Sequence, residues 1–234
     1  MHYRLSNTAN RNRVEREMGI PFKYPNLYQQ RPVINGLEES IVPVVTMAEQ
    51  QHITYAIWGI LPEQYNEDWK VFQNVFNTLT LREDSMETNL WYTQAMWHRR
   101  CLILVSGYYT FRLQNGVMIP FYISATSGGV LSLAGIYNQL EDGFFTCALI
   151  IVSADTIVSK VQNIDSGMPL VIAPSMRERW LYQYPDREKI NKLLRQPQKV
   201  KLKAHPVSMD RYKSNNNNPH FTEPFNYLDF PLRS

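Results

Sequence analysis

Few residues in this chain have both the type and the setting for covalent chemistry. Its two thiols, Cys101 and Cys147, each sit inside an apolar run, where cysteine serves as a small buried hydrophobe. Two thiols cannot hold zinc without histidine, and the chain has neither a CxxC nor an HxxxH spacing. The residues thus predict no metal site and no cofactor. The acids Glu83, Asp84, Asp155 and Asp165 have no spacing that specifies an acid–base pair, and they read as surface or capping residues. His98, beside Arg99 and Arg100, reads as structural. Arg11, Arg13 and Arg16, and later Lys199, Lys201 and Lys203, form small basic clusters whose plain reading is a solvated face.

The elements that must position any site follow from the pattern along 234 residues, enough for one α+β unit spanning 1–234. Hydrophobic residues make up 44% and charged residues 19%, the balance of a folded domain. The net charge is +3, which permits an anionic partner without demanding one. No apolar run is long enough to span a bilayer, and Met1 to Arg16 has no apolar signal-peptide core. With no disulfide expected, the chain is assigned to the cytoplasm, with no membrane partner.

Asn7 to Met18 predicts a short polar helix stopped by Gly19 and Pro21, and Pro21 to Pro43 a loop. Thr54 to Ile60 predicts a strand. Trp69 to Leu79, with Val71, Val75 and Leu79 at helical spacing, predicts a helix. From Cys101 to Val152, five short apolar runs separated by Asn115-Gly116, Gly128-Gly129 and Asp142-Gly143 predict a meander or barrel. Ser175 to Leu181 predicts a helix capped by Ser175 with Glu178 at capping-box spacing. Asp186 to Leu194 predicts a helix, Lys199 to Val207 a strand, and Asn215 to Asn218 a polar loop. The sum is a single α+β domain: a curved mixed or antiparallel sheet, or barrel-like core, with peripheral helices.

Four stretches share one further property. Trp58-Gly59-Ile60-Leu61-Pro62, then Arg99-Arg100-Cys101-Leu102 with Gly107-Tyr108-Tyr109, then Leu133-Ala134-Gly135-Ile136-Tyr137, then Met168-Pro169-Leu170-Val171-Ile172, resemble motifs of the SOS-response-associated peptidase family, in order and with fitting spacing. The resemblance implies capture of abasic sites in single-stranded DNA. There an N-terminal cysteine's amine forms an imine with the sugar aldehyde and its thiol closes a ring, while Asn, Glu and His position groups and move protons.

The positions matching that machinery have changed. His2 stands where the cysteine belongs, and a large second residue keeps Met1 in place, whose thioether cannot close the ring. Thr80 replaces the Asn, Thr110 the Glu and Gln162 the His, while Gly167 replaces the Arg before Met-Pro. The resemblance leaves Arg4 and Arg82 for phosphate and Trp58 for stacking on an unpaired base. The sequence therefore predicts a divergent member, without stable cross-linking, whose partner is single-stranded DNA. Two alternatives stay open: an imine or lyase enzyme using His2 and the Met1 amine, and an interaction module with no DNA role.

Overall fold

The computed structural model describes residues 3–83, 90–183, 186–195, 200–213 and 219–227. Met1, His2, Asp84, Lys199 and the Asn215 to Asn218 run lie outside them.

The chain opens with β1 (Arg4–Asn7) and α1 (Arg11–Met18), followed by β2 (Arg31–Asn35), β3 (Ile41–Thr46) and β4 (Thr54–Trp58). The first helix starts later than its composition suggests, because Asn10 is the residue that caps it, accepting from the Arg13 N–H at 2.9 Å. Gly19, at φ +74°, ends it. Next come α2 (Trp69–Val75), β5 (Thr80–Arg82) and α3 (Leu90–His98). The five apolar runs become β6 (Arg100–Val105), β7 (Gly107–Gln114), β8 (Val117–Ala125), β9 (Leu131–Gln139) and β10 (Phe145–Ser153). Asn115 and Gly116 both have positive φ, the backbone a two-residue hairpin needs between β7 and β8. The remainder is α4 (Val158–Val161), β11 (Gly167–Pro169), β12 (Val171–Ile172), α5 (Arg177–Leu181), α6 (Arg187–Arg195), β13 (Leu202–Pro206) and α7 (Met209–Lys213).

Two sheets result. One runs β13-β8-β7-β1-β2 and is antiparallel throughout. In the other, β10 pairs with β4, β4 with β3, β3 with β6, β6 with β9, and β9 returns to β10, so five strands close a ring. The α+β class and the barrel-like core read from the sequence are both present. The five runs are not a simple meander, however, since β6 belongs to the closed ring and β7 to the open sheet. The chain changes sheets at Ser106, whose Oγ accepts from the N–H groups of Thr8 and Ala9 at 2.9 Å each. Residues of both sheets, Leu5, Ile123 and Leu202 from one and Val44, Leu102 and Leu149 from the other, share one hydrophobic core.

Three expectations change. Pro21 to Pro43 is not all loop, because β2 and the start of β3 lie in it. Helix α2 stops at Val75 and turns the other way: Trp69 is buried, while Val71 and Val75 are exposed. Its N-cap is Asp68, whose carboxylate accepts from Lys70 and Val71. Ser175 is not the N-cap of α5, a place Met176 takes; it sits inside a short 3-10 turn, Pro174–Met176, ahead of that helix.

The Arg-Arg-Cys stretch acquires a structural purpose. Arg100 is wholly buried at the start of β6. Its guanidinium donates to the carbonyls of Met96 (2.8 Å), Trp97 (3.0 Å), Trp180 (2.7 Å) and Tyr182 (2.6 Å), which belong to the C-terminal ends of α3 and α5. Helix ends present unpaired carbonyls and the negative pole of the dipole, so one cation satisfies both ends. Burial draws Arg100 down to about 10, which leaves it charged at neutral pH.

Candidate functional site

The residues singled out from the sequence meet, in part, at one cleft of about 170 Å³ lined by Tyr3, Thr110, Phe111, Met118, Ile164, Asp165 and Tyr212. Strand β7 places Thr110 there. The hairpin with β8 fixes its register, Thr110 opposite Phe121, and β1 pairs along the other edge of β7. Thr110 is only 2% exposed. Behind it stands Gln162, the residue that ends α4, also buried.

The two side chains touch. The Thr110 hydroxyl donates to Gln162 Oε1 at 2.5 Å, and Gln162 Nε2 donates to the Gly167 carbonyl at 2.7 Å. The resemblance put a Glu and a His at these two positions, and here a neutral hydroxyl and a neutral amide face each other instead. Neither group titrates near neutral pH, so the pair holds geometry and moves no proton.

Charge lies at the flanks. Arg82, at the end of β5, is half exposed, with Nη1 3.4 Å from Asp165 Oδ1. Asp165 also accepts from the Gly167 N–H at 3.0 Å, so it is both a turn cap and the partner of an arginine. Thr80, two residues before Arg82, pairs with Leu149 and is not among the side chains that line the cleft. The Arg4 guanidinium lies 4.1 Å from the ring centroid of Tyr212, another lining residue, and donates to the Tyr212 carbonyl. Burial pushes the Tyr212 hydroxyl up to about 12, with Arg4 pulling the other way, so the ring stays neutral.

Trp58 is not at this surface. It is fully buried, its Nε1–H donates to the Leu79 carbonyl at 2.9 Å, and its ring lies so close to Gly36 that a Cβ there would fall 2.8 Å from it. A ring covered in this way offers no face to a base, so the stacking role expected of Trp58 is withdrawn. His2 lies outside the described residues, and Tyr3, the first described residue, lines the cleft.

The remaining candidates resolve simply. Cys101 and Cys147 are buried and free, and burial pushes both thiols well above their ordinary range. Asp155 caps the turn into α4 through the N–H groups of Ile157 and Val158. Arg11 and Arg13 pair with Glu15 and Glu17 one turn along α1. His98 is exposed in the last turn of α3. Among the described residues no cluster of three or more His, Cys, Asp or Glu side chains could hold a metal ion, and no helix is long and apolar enough to cross a membrane. Sequence reasoning missed Tyr212 and Phe111. Phe111 could have been suspected as the neighbour of Thr110 in a strand. Tyr212 gives no sequence signal, because its partner lies 208 residues away.

Comparison with known proteins places this geometry. A family model described as SOS response associated peptidase (SRAP) matches residues 1–213. An abasic site processing protein of Saccharomyces cerevisiae is 23% identical over 179 residues, covering 74% of this chain and 47% of that protein. Another, from Xenopus tropicalis, is 25% identical over 188 residues, covering 69% and 54%. The chain spans about half the length of these two relatives. A solved protein from Bacteroides thetaiotaomicron shares the fold with a TM-score of 0.84 at 20% identity, over 95% of this chain and 99% of that one. One from Bordetella bronchiseptica gives 0.70 at 12% identity, over 88% and 100%.

Proposed function

Since the chain belongs to the SOS response associated peptidase family, we propose that it binds single-stranded DNA by salt-sensitive phosphate contacts from Arg82 and Arg4, and that it does not form the stable abasic-site adduct. The observation that carries the second half is the closed hydrogen-bond chain from Thr110 through Gln162 to the Gly167 carbonyl. Imine formation moves a proton onto the departing water, and ring closure takes one from the thiol. A hydroxyl and an amide bonded to one another offer neither an acid nor a base near neutral pH.

The first half rests on two arginines, each bound to a residue that lines the cleft, Arg82 to Asp165 and Arg4 to Tyr212; guanidinium groups suit anionic oxygen. The relatives' names speak of abasic site processing, and that chemistry is what this chain is read to have left behind.

The test is direct. The protein is incubated with single-stranded DNA carrying one abasic site, then denatured and resolved. No shifted band is expected, and a band that survives overturns the inactivity claim. A band seen only after borohydride would show an imine and shift the reading to a lyase. A titration at about 50 mM and about 200 mM salt should show affinity falling as salt rises. Absence of binding at the lower salt removes the DNA half and leaves a protein-interaction module.

A further inference from the structure

Arg4 is already occupied, and its occupant has the shape of a nucleotide contact. The Tyr212 ring covers one face of the guanidinium at 4.1 Å, while the Tyr212 carbonyl takes the Nη1 donor. A flat π-system on the cation and an oxygen on its N–H are what a base and a phosphate would supply. The ring is held by two edge-on contacts, to Phe111 at 4.8 Å and 83° and to Tyr109 at 5.6 Å and 73°. It also forms one wall of the cleft that Thr110 floors.

The helix that carries it is short. Helix α7 has five residues, with the Tyr212 N–H bonded to the Ser208 carbonyl at 2.9 Å. It is braced at its start by Tyr227, whose hydroxyl accepts from Met209 N–H at 3.1 Å and donates to the Val207 carbonyl at 2.8 Å. A single turn of helix has little intrinsic stability and depends on such tertiary contacts. Strand β13 before it is held independently, paired along its whole length with β8.

We propose that α7 is an autoinhibitory strap: Tyr212 stands in for a nucleotide on Arg4, and a single strand engages that arginine only by displacing it. The proposal rests on the single-strand reading above and adds its regulation. Arg82 makes the first contact, and Arg4 joins once the strap lifts.

The probe is a fluorescent oligothymidylate of about 15 nucleotides, titrated at about 50 mM salt into wild-type protein and into Tyr212→Leu, which keeps apolar packing but removes the π-face. The variant should bind about tenfold tighter, the order expected from losing one cation–π contact and two ring edges. Its log–log salt slope should steepen by about one phosphate contact. Adding Arg4→Ala should erase the gain, and Arg4→Ala alone should weaken binding by less than it does in the Tyr212→Leu background, where the strap no longer competes for it.

If Tyr212→Leu binds as wild type does while Arg82→Ala weakens both, the strap is overturned and the single-strand reading survives. If neither wild type nor variant binds, both fall. A measurement on unaltered protein guards against a misfolded variant. Saturating oligonucleotide should speed hydrogen exchange at the Tyr212 amide, and unchanged or slower exchange overturns the strap.

Discussion

The Thr110–Gln162 pair can be dissected by a double-mutant cycle, with magnitudes that follow from its connections. Both side chains are buried, at 2% and 5% exposure, so any hydrogen-bonding atom left alone pays for its lost water. Thr110→Val keeps the shape and deprives Gln162 Oε1 of its donor, costing about 1–3 kcal/mol. Gln162→Leu strands the Thr110 hydroxyl and removes the amide donor from the Gly167 carbonyl, and costs about 2–5 kcal/mol. In the double variant only the bond to that carbonyl is lost, which returns the loss to about 1–3 kcal/mol. The two changes should therefore fall short of additivity by about 2–5 kcal/mol. Urea denaturation of the four proteins measures this. The measurement should be repeated at about pH 5 and about pH 8, where a carboxylate–imidazole pair would change its coupling and a hydroxyl–amide pair would not. Additivity within about 0.5 kcal/mol, or a coupling that moves with pH, would refute the account of a closed, proton-inert site.

Three further outcomes are expected. Arg100→Met should cost about 3–5 kcal/mol in chemical denaturation by leaving two helix ends without their shared cation, and Arg100→Lys should recover less than half, since an ammonium lacks the planar fork. Burial alone would raise the Glu17 carboxyl, but the Arg13 side chain and the Val130 N–H outweigh it and hold the group below its ordinary 4.5. A depressed acid stabilises the fold above that value and loses the contribution as pH falls through its folded pKa. Glu17→Gln should thus cost about 0.5–1 kcal/mol at neutral pH, discounted for solvent screening, with the gap to wild type closing in acid melts. Trp58→Phe should remove one of the two donors to the Leu79 carbonyl, which keeps the Leu149 N–H, lowering stability by about 0.5–1.5 kcal/mol in denaturant. It should leave the salt slope of DNA binding where it was.

Much of the barrel could be read from residue order because its signals are local. Asn115-Gly116 announces a hairpin through backbone that only a few residues tolerate, and the runs from Cys101 to Val152 have strand length and strand composition. What failed was orientation. Val71, Val75 and Leu79 have the spacing of a buried helix face, yet tertiary packing chose Trp69 and left Val71 and Val75 in solvent. The passage from β6 in one sheet to β7 in the other comes at Ser106, whose N–H donates to the Ser6 carbonyl of β1, a long-range contact no local pattern encodes. At the site, motif position led to Thr110 and Gln162, but only coordinates show the bond between them. Trp58 misled because a tryptophan suited to stacking is equally suited to a core, and the close approach of Gly36 decided between the two. Tyr212 was invisible because its meaning comes entirely from Arg4 at the far end of the chain.

Gly167 makes two positions answer to each other. A Cβ at that position would come within 2.5 Å of Ile151 Cγ2, a branched methyl fixed to β10 with little freedom to swing aside. A larger residue there must wait until Ile151 shrinks or moves, and that change on its own opens a void in a packed strand pair. Either substitution alone is thus worse than none, and the two are tolerated only together. The coupling works as an interlock: ordinary packing between β10 and β11 governs which side chains position 167 can carry.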